Sequence, residues 1–350
     1  MTTVVAIVPK FAITGGNLEV NRLMRDLQHQ GCSVSLVSLY PKSTRPHVAL
    51  LAAPFFTVYA IIKILSRKPD MLIVTHYTTL PYSLLAFACR LKSIAFIQDF
   101  EWLFVSQIPA VQRLSKAYHL FLYNFVDCFV FGNRYLESGF PSSAKHSRLF
   151  RGVPHQILYP VGSVSGFEES TQPRHGIGFI LRNGWLKNQS MYYEVFSKLI
   201  ASNAIDPGAV CGIDMLNSAS SSDKFSALGI HLHSPMHADE VSSWMARHSI
   251  FLCLSIHEGF GLPPLEAMCQ GTIPLVLMNG GCTAYMGPFS EFLMAPHSSP
   301  EQVANKIAFV LSWQDTQLSS YRRRVKEHAI QYLSWAQQTR NTASAAIASL

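Results

Sequence analysis

The sequence predicts an α/β protein of two doubly wound parallel sheets, and three observations carry that expectation. At 350 residues the chain exceeds what one ordinary core serves. Short β-branched runs alternate with stretches of helical period, the pattern of strand–helix–strand units. Near the middle, HSRLFRGVPHQILYPVGSVSGFEESTQPRHG is crowded with Gly, Pro and Ser, as a linker between halves would be. The expected domains are residues 1–165 and 166–318, followed by a helical tail over 319–350 that packs back towards the first domain. Two such halves face each other across a cleft, and ligands of such sheets bind beyond the carboxyl ends of the strands.

In the first half TVVAIVP reads as a strand, NLEVNRLMRDLQHQG as a helix ended by Gly31, and CSVSLVSL as the next strand. VALLAAPFFTVYAII is broken by Pro54 and falls short of the roughly 20 residues a membrane-spanning helix needs, so it reads as a buried or surface-lying helix. DMLIVTHY is a strand, an apolar helix follows near Pro81 to Leu91, and SIAFIQDF and CFVFGN are strands. The second half repeats the theme. GIGFILR, GAVCGID, SIFLCLS and TIPLVLM read as strands, and NQSMYYEVFSKLIA, ADEVSSWMARH and PLEAMCQG as the helices between them.

Composition narrows the function classes. Only 14% of residues are charged, so the excess of 28 Lys and Arg over 21 Asp and Glu, a net +7, carries weight. It points to an anionic partner: a phosphorylated small molecule or an acidic membrane surface. Nucleic acid ranks last, because no basic run exceeds Arg322-Arg323-Arg324. The seven cysteines are scattered without a CxxC pair, which fits a reduced compartment. MTTVVAIVPK enters a strand directly, with no basic leader, so no signal peptide is expected. The expected location is the cytoplasm or the inner face of the plasma membrane.

The richest stretch is SIHEGFGLPPLEAMCQGTIPLV. His257 and Glu258 follow an apolar strand. Gly259 and Gly261 let backbone amides approach a ligand, and Pro263 and Pro264 suit the first turn of a helix that carries Glu266. Helix-start amides attract phosphate, while two carboxylates accept hydroxyl protons. A nucleotide sugar wants both. A plain tight turn with an early-helix acid is the alternative reading of these residues.

EGFGLPPLEAMCQGTIPLV resembles the signature of the retaining glycosyltransferases of family 4, whose fold is GT-B: two Rossmann-like domains facing across a cleft. The resemblance rests on Glu258, Gly259, Phe260, Gly261, Pro264, Glu266, Ala267, Gly271 and Pro274, with Gln270 a mild departure. It implies that Glu266 binds the donor ribose, that Glu258 holds hydroxyls of the donor sugar, and that the amides of Gly259, Phe260 and Gly261 meet sugar and phosphates. FILRNGWLKNQS is similar to the family's diphosphate-binding segment, which gives Arg182 and Lys187 the task of neutralising the leaving group; Asn183 stands at an unusual place.

Three N-terminal stretches follow the same order. Gly15 and Gly16, in PKFAITGGNLEV, would bring amides to the donor phosphates. His76, in THY, would contact the transferred sugar. FIQDFEWLF resembles the rhamnosyltransferase-like branch, placing Asp99 and Glu101 for acceptor binding or base catalysis and hinting at a dTDP-L-rhamnose donor. Neither HEGFG nor HLHSPMH has the partners of a zinc site, so no metal or other cofactor is expected.

The function expected is transfer of a sugar, with retention, from a nucleotide-diphosphate donor to a saccharide or lipid-linked oligosaccharide acceptor, in synthesis of an O-antigen or capsule-type polysaccharide. By resemblance the acceptor attacks from the front face and the leaving phosphate serves as base. Apolar stretches such as APFFTVYAIIKIL and KAYHLFLYNF fit docking on an anionic membrane, or equally the core of a sheet. The rivals are a nucleotide-sugar epimerase of the same fold and a non-catalytic nucleotide-sugar-binding subunit.

Overall fold

The structure is a computed structural model that describes residues 1–10, 15–40, 53–140, 155–160, 174–182, 184–215 and 219–350. It divides into two compact units, Met1–Pro160 with Ala336–Leu350, and Val161–Trp335. The expected boundary at 165/166 and most of the Gly/Pro/Ser-rich segment lie outside the described residues, as does Asn183.

Unit one is a parallel sheet in the order β2-β1-β3-β4-β5-β6. Its strands are β1 (Thr3–Lys10), β2 (Ser33–Tyr40), β3 (Met71–Val74), β4 (Lys92–Ile97), β5 (Cys128–Phe131) and β6 (His155–Ile157). Alternate residues feed opposite cores, because successive strand side chains point to opposite faces. Val5 and Ile7 join one cluster, Val4, Ala6 and Val8 the other. On the first face pack α2 (Ala53–Ser66), α3 (Tyr82–Ala88) and α4 (Pro109–Tyr123). The second face is covered by α1 (Gly15–His29) and by Ala343 and Ile347 of the last helix. A sheet buried on both sides explains why β3 and β5 are wholly apolar in burial. A short helix, α5 (Arg134–Gly139), is capped by the Asn133 side chain, which accepts from the Leu136 amide at 2.9 Å.

The last helix is held in this unit by a buried ion cluster. Arg340, 1% exposed at its side chain, reaches Glu19 at 2.8 Å and Asp26 at 2.5 Å, both on α1, and the carbonyl of Tyr159 at 3.3 Å.

Unit two has the sheet order β12-β11-β10-β7-β8-β9, again parallel. The strands are β7 (Ile177–Leu181), β8 (Val210–Asp214), β9 (His231–His233), β10 (Ile250–Cys253), β11 (Ile273–Leu277) and β12 (Leu293–Met294). The helices are α6 (Gln189–Ala201), α7 (Ala219–Ser226), α8 (Ala238–Met245), α9 (Leu262–Cys269), α10 (Thr283–Met286), α11 (Pro300–Leu311) and α12 (Asp315–Ala348). The last begins four residues before the expected tail. It runs unbroken through both units' share of the chain, so residue 319 marks no structural boundary.

The expected strands and helices are present where the structure describes them; residues 48–52 of the apolar segment lie outside the described residues. Sequence reading passed over β6, β9 and β12, which have only two or three residues each and so no measurable period.

Candidate functional site

The second sheet assembles a charged cluster at its carboxyl edge. β7 ends at Leu181, so Arg182 stands just past the strand; a single turn over Trp185–Lys187 then leads to α6. Asn188 sits in the left-handed region at φ 55°, and its side chain donates to the Leu254 carbonyl at 3.1 Å. The Ile256 amide donates to the Leu186 carbonyl at 2.8 Å. These bonds tie the loop after β7 to the loop after β10.

Glu258 lies where the two loops meet. Its Oε1 is 2.8 Å from Arg182 Nη2 and 2.9 Å from Lys187 Nζ, with side chains 8%, 35% and 12% exposed. Burial alone would raise the Glu258 carboxyl. The guanidinium of Arg182 and the ammonium of Lys187 outweigh it, helped by Ser255, and hold the group below its usual value. Burial likewise works against the charge of Arg182, yet the Glu258 carboxylate, with a lesser contribution from Glu266, holds it above its ordinary value. Glu258 and Arg182 are therefore both charged at neutral pH. The cations expected to face a diphosphate are engaged with the carboxylate expected to face a sugar.

The backbone after Glu258 is pinned from β11. Glu258 N–H donates to the Asn279 carbonyl at 3.2 Å, and Gly281 N–H donates to the Glu258 carbonyl at 3.1 Å. At Gly281 a Cβ would stand 2.5 Å from the amide nitrogen and Cα of Phe260 and 2.7 Å from the Glu258 oxygen, so no other residue fits without moving this loop. Gly261, at φ +81°, turns the chain into α9. Its carbonyl accepts from the Tyr285 hydroxyl. The Phe260 ring is 7% exposed and packs on Tyr285 and Tyr332, so only its backbone is placed to meet a ligand.

The start of α9 is a weaker phosphate cradle than the sequence motif implies. Pro263 and Pro264 carry no N–H, so of the first four positions only Leu262 and Leu265 present amides. Glu266 is fifth in the helix and half-buried, with its charge felt at Arg182.

At the first sheet's carboxyl edge, His76 Nδ1 is 2.9 Å from the Thr78 hydroxyl and its Nε2 3.9 Å from Glu101 Oε1. Burial, then the neighbouring His119, pull His76 down to about 4. Burial pushes Glu101 well above the carboxylate range, only partly opposed by the Tyr77 amide, and Asp99 adds to the rise. Both directions favour neutral forms, so the contact is a neutral imidazole beside a proton-holding carboxyl rather than an ion pair. Asp99 Oδ1 accepts from the Phe100 amide at 2.8 Å. Gly15 opens α1, and a Cβ on Gly16 would lie 3.1 Å from Gln98 Oε1, beside this edge. Residues 11–14, which precede it, lie outside the described residues.

Among the described residues no group of three or more His, Cys, Asp or Glu is arranged to hold a metal ion. His231 and His233 bond each other at 3.3 Å. The sequence reading missed Asn279, Gly281 and Tyr285. The one signal for them was Asn-Gly-Gly directly after a strand.

Residues 177–332 match the family model described as glycosyl transferases group 1. The matched residues all lie within unit two. No curated protein matches the chain in sequence. Solved structures give the fold. Anabaena HepE, crystallised with UDP-glucose, superposes with TM-score 0.72 at 16% identity over 100% of both chains. Sucrose-phosphate synthase from Thermosynechococcus elongatus gives 0.69 at 13% identity over 97% of each. A trehalose-phosphate synthase from Burkholderia xenovorans, solved with glucose-6-phosphate, gives 0.66 at 9% identity, covering 97% of this chain and 100% of its own. The fold is GT-B, as expected. Within the matched residues Arg182 and Lys187 follow β7, Glu258 follows β10, and the glycine turn leads into α9.

Proposed function

We propose that the protein is a retaining, metal-independent hexosyltransferase that moves a sugar from a nucleoside-diphosphate donor to a saccharide acceptor in surface-polysaccharide synthesis, with rhamnose as one donor sugar to test. The observation that carries this reading is the clamp of Glu258 between Arg182 and Lys187 at the carboxyl edge of a glycosyl transferase domain. A donor diphosphate would draw on both cations. Glu258, freed in part, would then accept from sugar hydroxyls, and Glu266 from the ribose.

In the transfer itself the acceptor oxygen bonds to the anomeric carbon as the bond from that carbon to the phosphate oxygen breaks. The acceptor proton passes to the departing phosphate. Arg182 and Lys187 stabilise the charge that grows on the leaving group. His76, in its neutral form, would donate or accept one hydrogen bond to the sugar, and Glu101 or Asp99 would bind the acceptor.

The acceptor is lipid-linked in this reading, and unit one docks on an anionic membrane. Support comes from the outward sides of α2, α3 and α4, where Phe55, Ile62, Phe87 and Leu114 are 62–72% exposed and Lys63 and Lys116 lie over Tyr59 and Trp102. No helix among the described residues is long and apolar enough to cross a membrane.

A thermal-shift screen with UDP-glucose, dTDP-rhamnose, other nucleotide sugars and the free nucleotides tests the donor. A donor at about 100 times its Kd adds roughly 2.7 kcal/mol of stability. Absence of any shift, together with unaltered transfer in Glu258→Ala, would sink the reading.

A further inference from the structure

The longest basic run, Arg322–Arg324, plays no part in the site above, and the structure sends its members different ways. Arg324 lies over the rings of Tyr321 and Phe289, and Arg323 approaches Glu327 at the surface at 3.9 Å. Arg322 turns inward, where its Nη2 donates to Ser249 Oγ at 2.9 Å. Its Nε is buried and has no partner among the described residues.

Arg174 stands beside it. Its guanidinium donates to the Gln270 carbonyl at 2.6 Å and to Thr272 Oγ1 at 3.1 Å, and Ser249 Oγ donates to its carbonyl at 3.2 Å. Ser249 and Thr272 immediately precede β10 and β11, and Arg174 comes three residues before β7. These strands are neighbours in one parallel sheet, so the two guanidiniums gather at its amino edge, the end opposite Glu258. Gly271, at φ +70°, lies among them: a Cβ on it would meet the Arg322 carbonyl oxygen at 3.3 Å, Arg174 Nη2 at 3.6 Å and Lys326 Cβ at 3.8 Å.

The charges at this edge do not balance. Burial, and then Arg322 itself, bring Arg174 down to about 10. Arg322 is lowered by burial and only partly supported by Asp315. The hydrogen-bond acceptors of both are neutral oxygens, which satisfy geometry but not charge. Capping the carboxyl end of α9 accounts for Arg174. It does not account for a second guanidinium, bound to the same Ser249 and felt at Arg174, with an idle donor.

We propose that Arg174 and Arg322, flanked by Lys326, form a second anion site that takes a phosphate-class dianion, either inorganic phosphate or the phosphate of a phosphorylated metabolite. A tetrahedral oxyanion supplies the acceptor that Arg322 Nε lacks and turns the mutual repulsion of the arginines into shared attraction.

The test is isothermal titration of the full chain with inorganic phosphate, and in a parallel arm with a hexose 6-phosphate, in chloride buffer at constant ionic strength. Saturable binding is expected in the wild type. It should persist in Lys187→Ala, which removes a cation from the other edge, and weaken about tenfold or more in Arg174→Met and Arg322→Met. Should a Met variant fail to give a native circular-dichroism spectrum, Arg322→Lys, which keeps charge without the fork, carries the test with a smaller weakening. Tighter binding of one arm names free phosphate or a metabolite as the source, and either supports the site. No saturable binding in either arm, or binding lost in Lys187→Ala and kept in the Arg322 variants, overturns it. Donor binding at Glu258 stands or falls separately, in the nucleotide-sugar screen.

Discussion

The carboxyl edges of the two sheets take ionisable groups out of water and treat them in opposite ways. In unit one, His76 and Glu101 meet across 3.9 Å and burial drives each towards its neutral form. In unit two, Glu258 is more deeply buried than either, yet two cations within 3 Å keep it ionised. Burial penalises whatever charge it finds; contacts of hydrogen-bond length to opposite charges decide whether the charge survives. One edge is thus prepared for hydrogen bonding to neutral hydroxyls and the other for exchanging ions.

The sharpest way to break this contrast is Glu258→Ala. It leaves two cations facing each other, and transfer should fall by about two to three orders of magnitude in kcat/KM. The fold should lose about 3 kcal/mol, as when one partner of a buried pair is removed. Steady-state kinetics and urea unfolding would measure the two effects. Transfer within a factor of two of wild type would mean the charged edge is structural.

Next in size is the other buried cluster. Arg340→Ala removes the buried partner of Asp26 and leaves Glu19 with Arg22 alone, and should cost about 3 kcal/mol in thermal unfolding, whereas Arg340→Met should cost less because the apolar chain still fills the space. Equal losses in both would show that packing, not charge, holds the last helix.

The pH profile sharpens the neutral side. Because the folded pKa of His76 is lowered to about 4, the unfolded chain binds the extra proton, and stability should fall as pH drops from about 6.5 towards 4. His76→Gln should flatten that slope. Glu258, held below its usual value, contributes stability that is present above about pH 4.3 and is lost as pH falls through its folded pKa. Glu258→Gln should remove only this lower limb. The smallest effect expected is on membrane binding. Ile62→Ser with Phe87→Ser should reduce sedimentation with phosphatidylglycerol vesicles several-fold and leave donor binding unchanged.

How much of this was legible in the sequence follows from the range of the interactions. The order strand, Glu258, Gly259, Gly261, helix, Glu266 is local, and reading along the chain recovers it. The clamp joins positions 76 apart in the case of Arg182 and Glu258, so it emerges only when β7 and β10 pair. That pairing also showed the cations bound to the carboxylate, which motif order could not. The apolar stretches of unit one were ambiguous because α2 carries hydrophobic residues on its outward side as well as its inward one, leaving little amphipathic contrast. His119 could not be read at all. Its Nδ1 lies 2.7 Å from the Ser115 carbonyl and its Nε2 is buried, which a lone histidine in KAYHLF does not announce.

Gly281 has a consequence for anyone surveying chains of this type by pattern. It lies outside the stretch from Glu258 to Pro274, yet any side chain there would strike the backbone of Glu258 and Phe260. A descendant could keep every letter of that signature and still have its loop displaced by a single methyl group seven residues past the end of it.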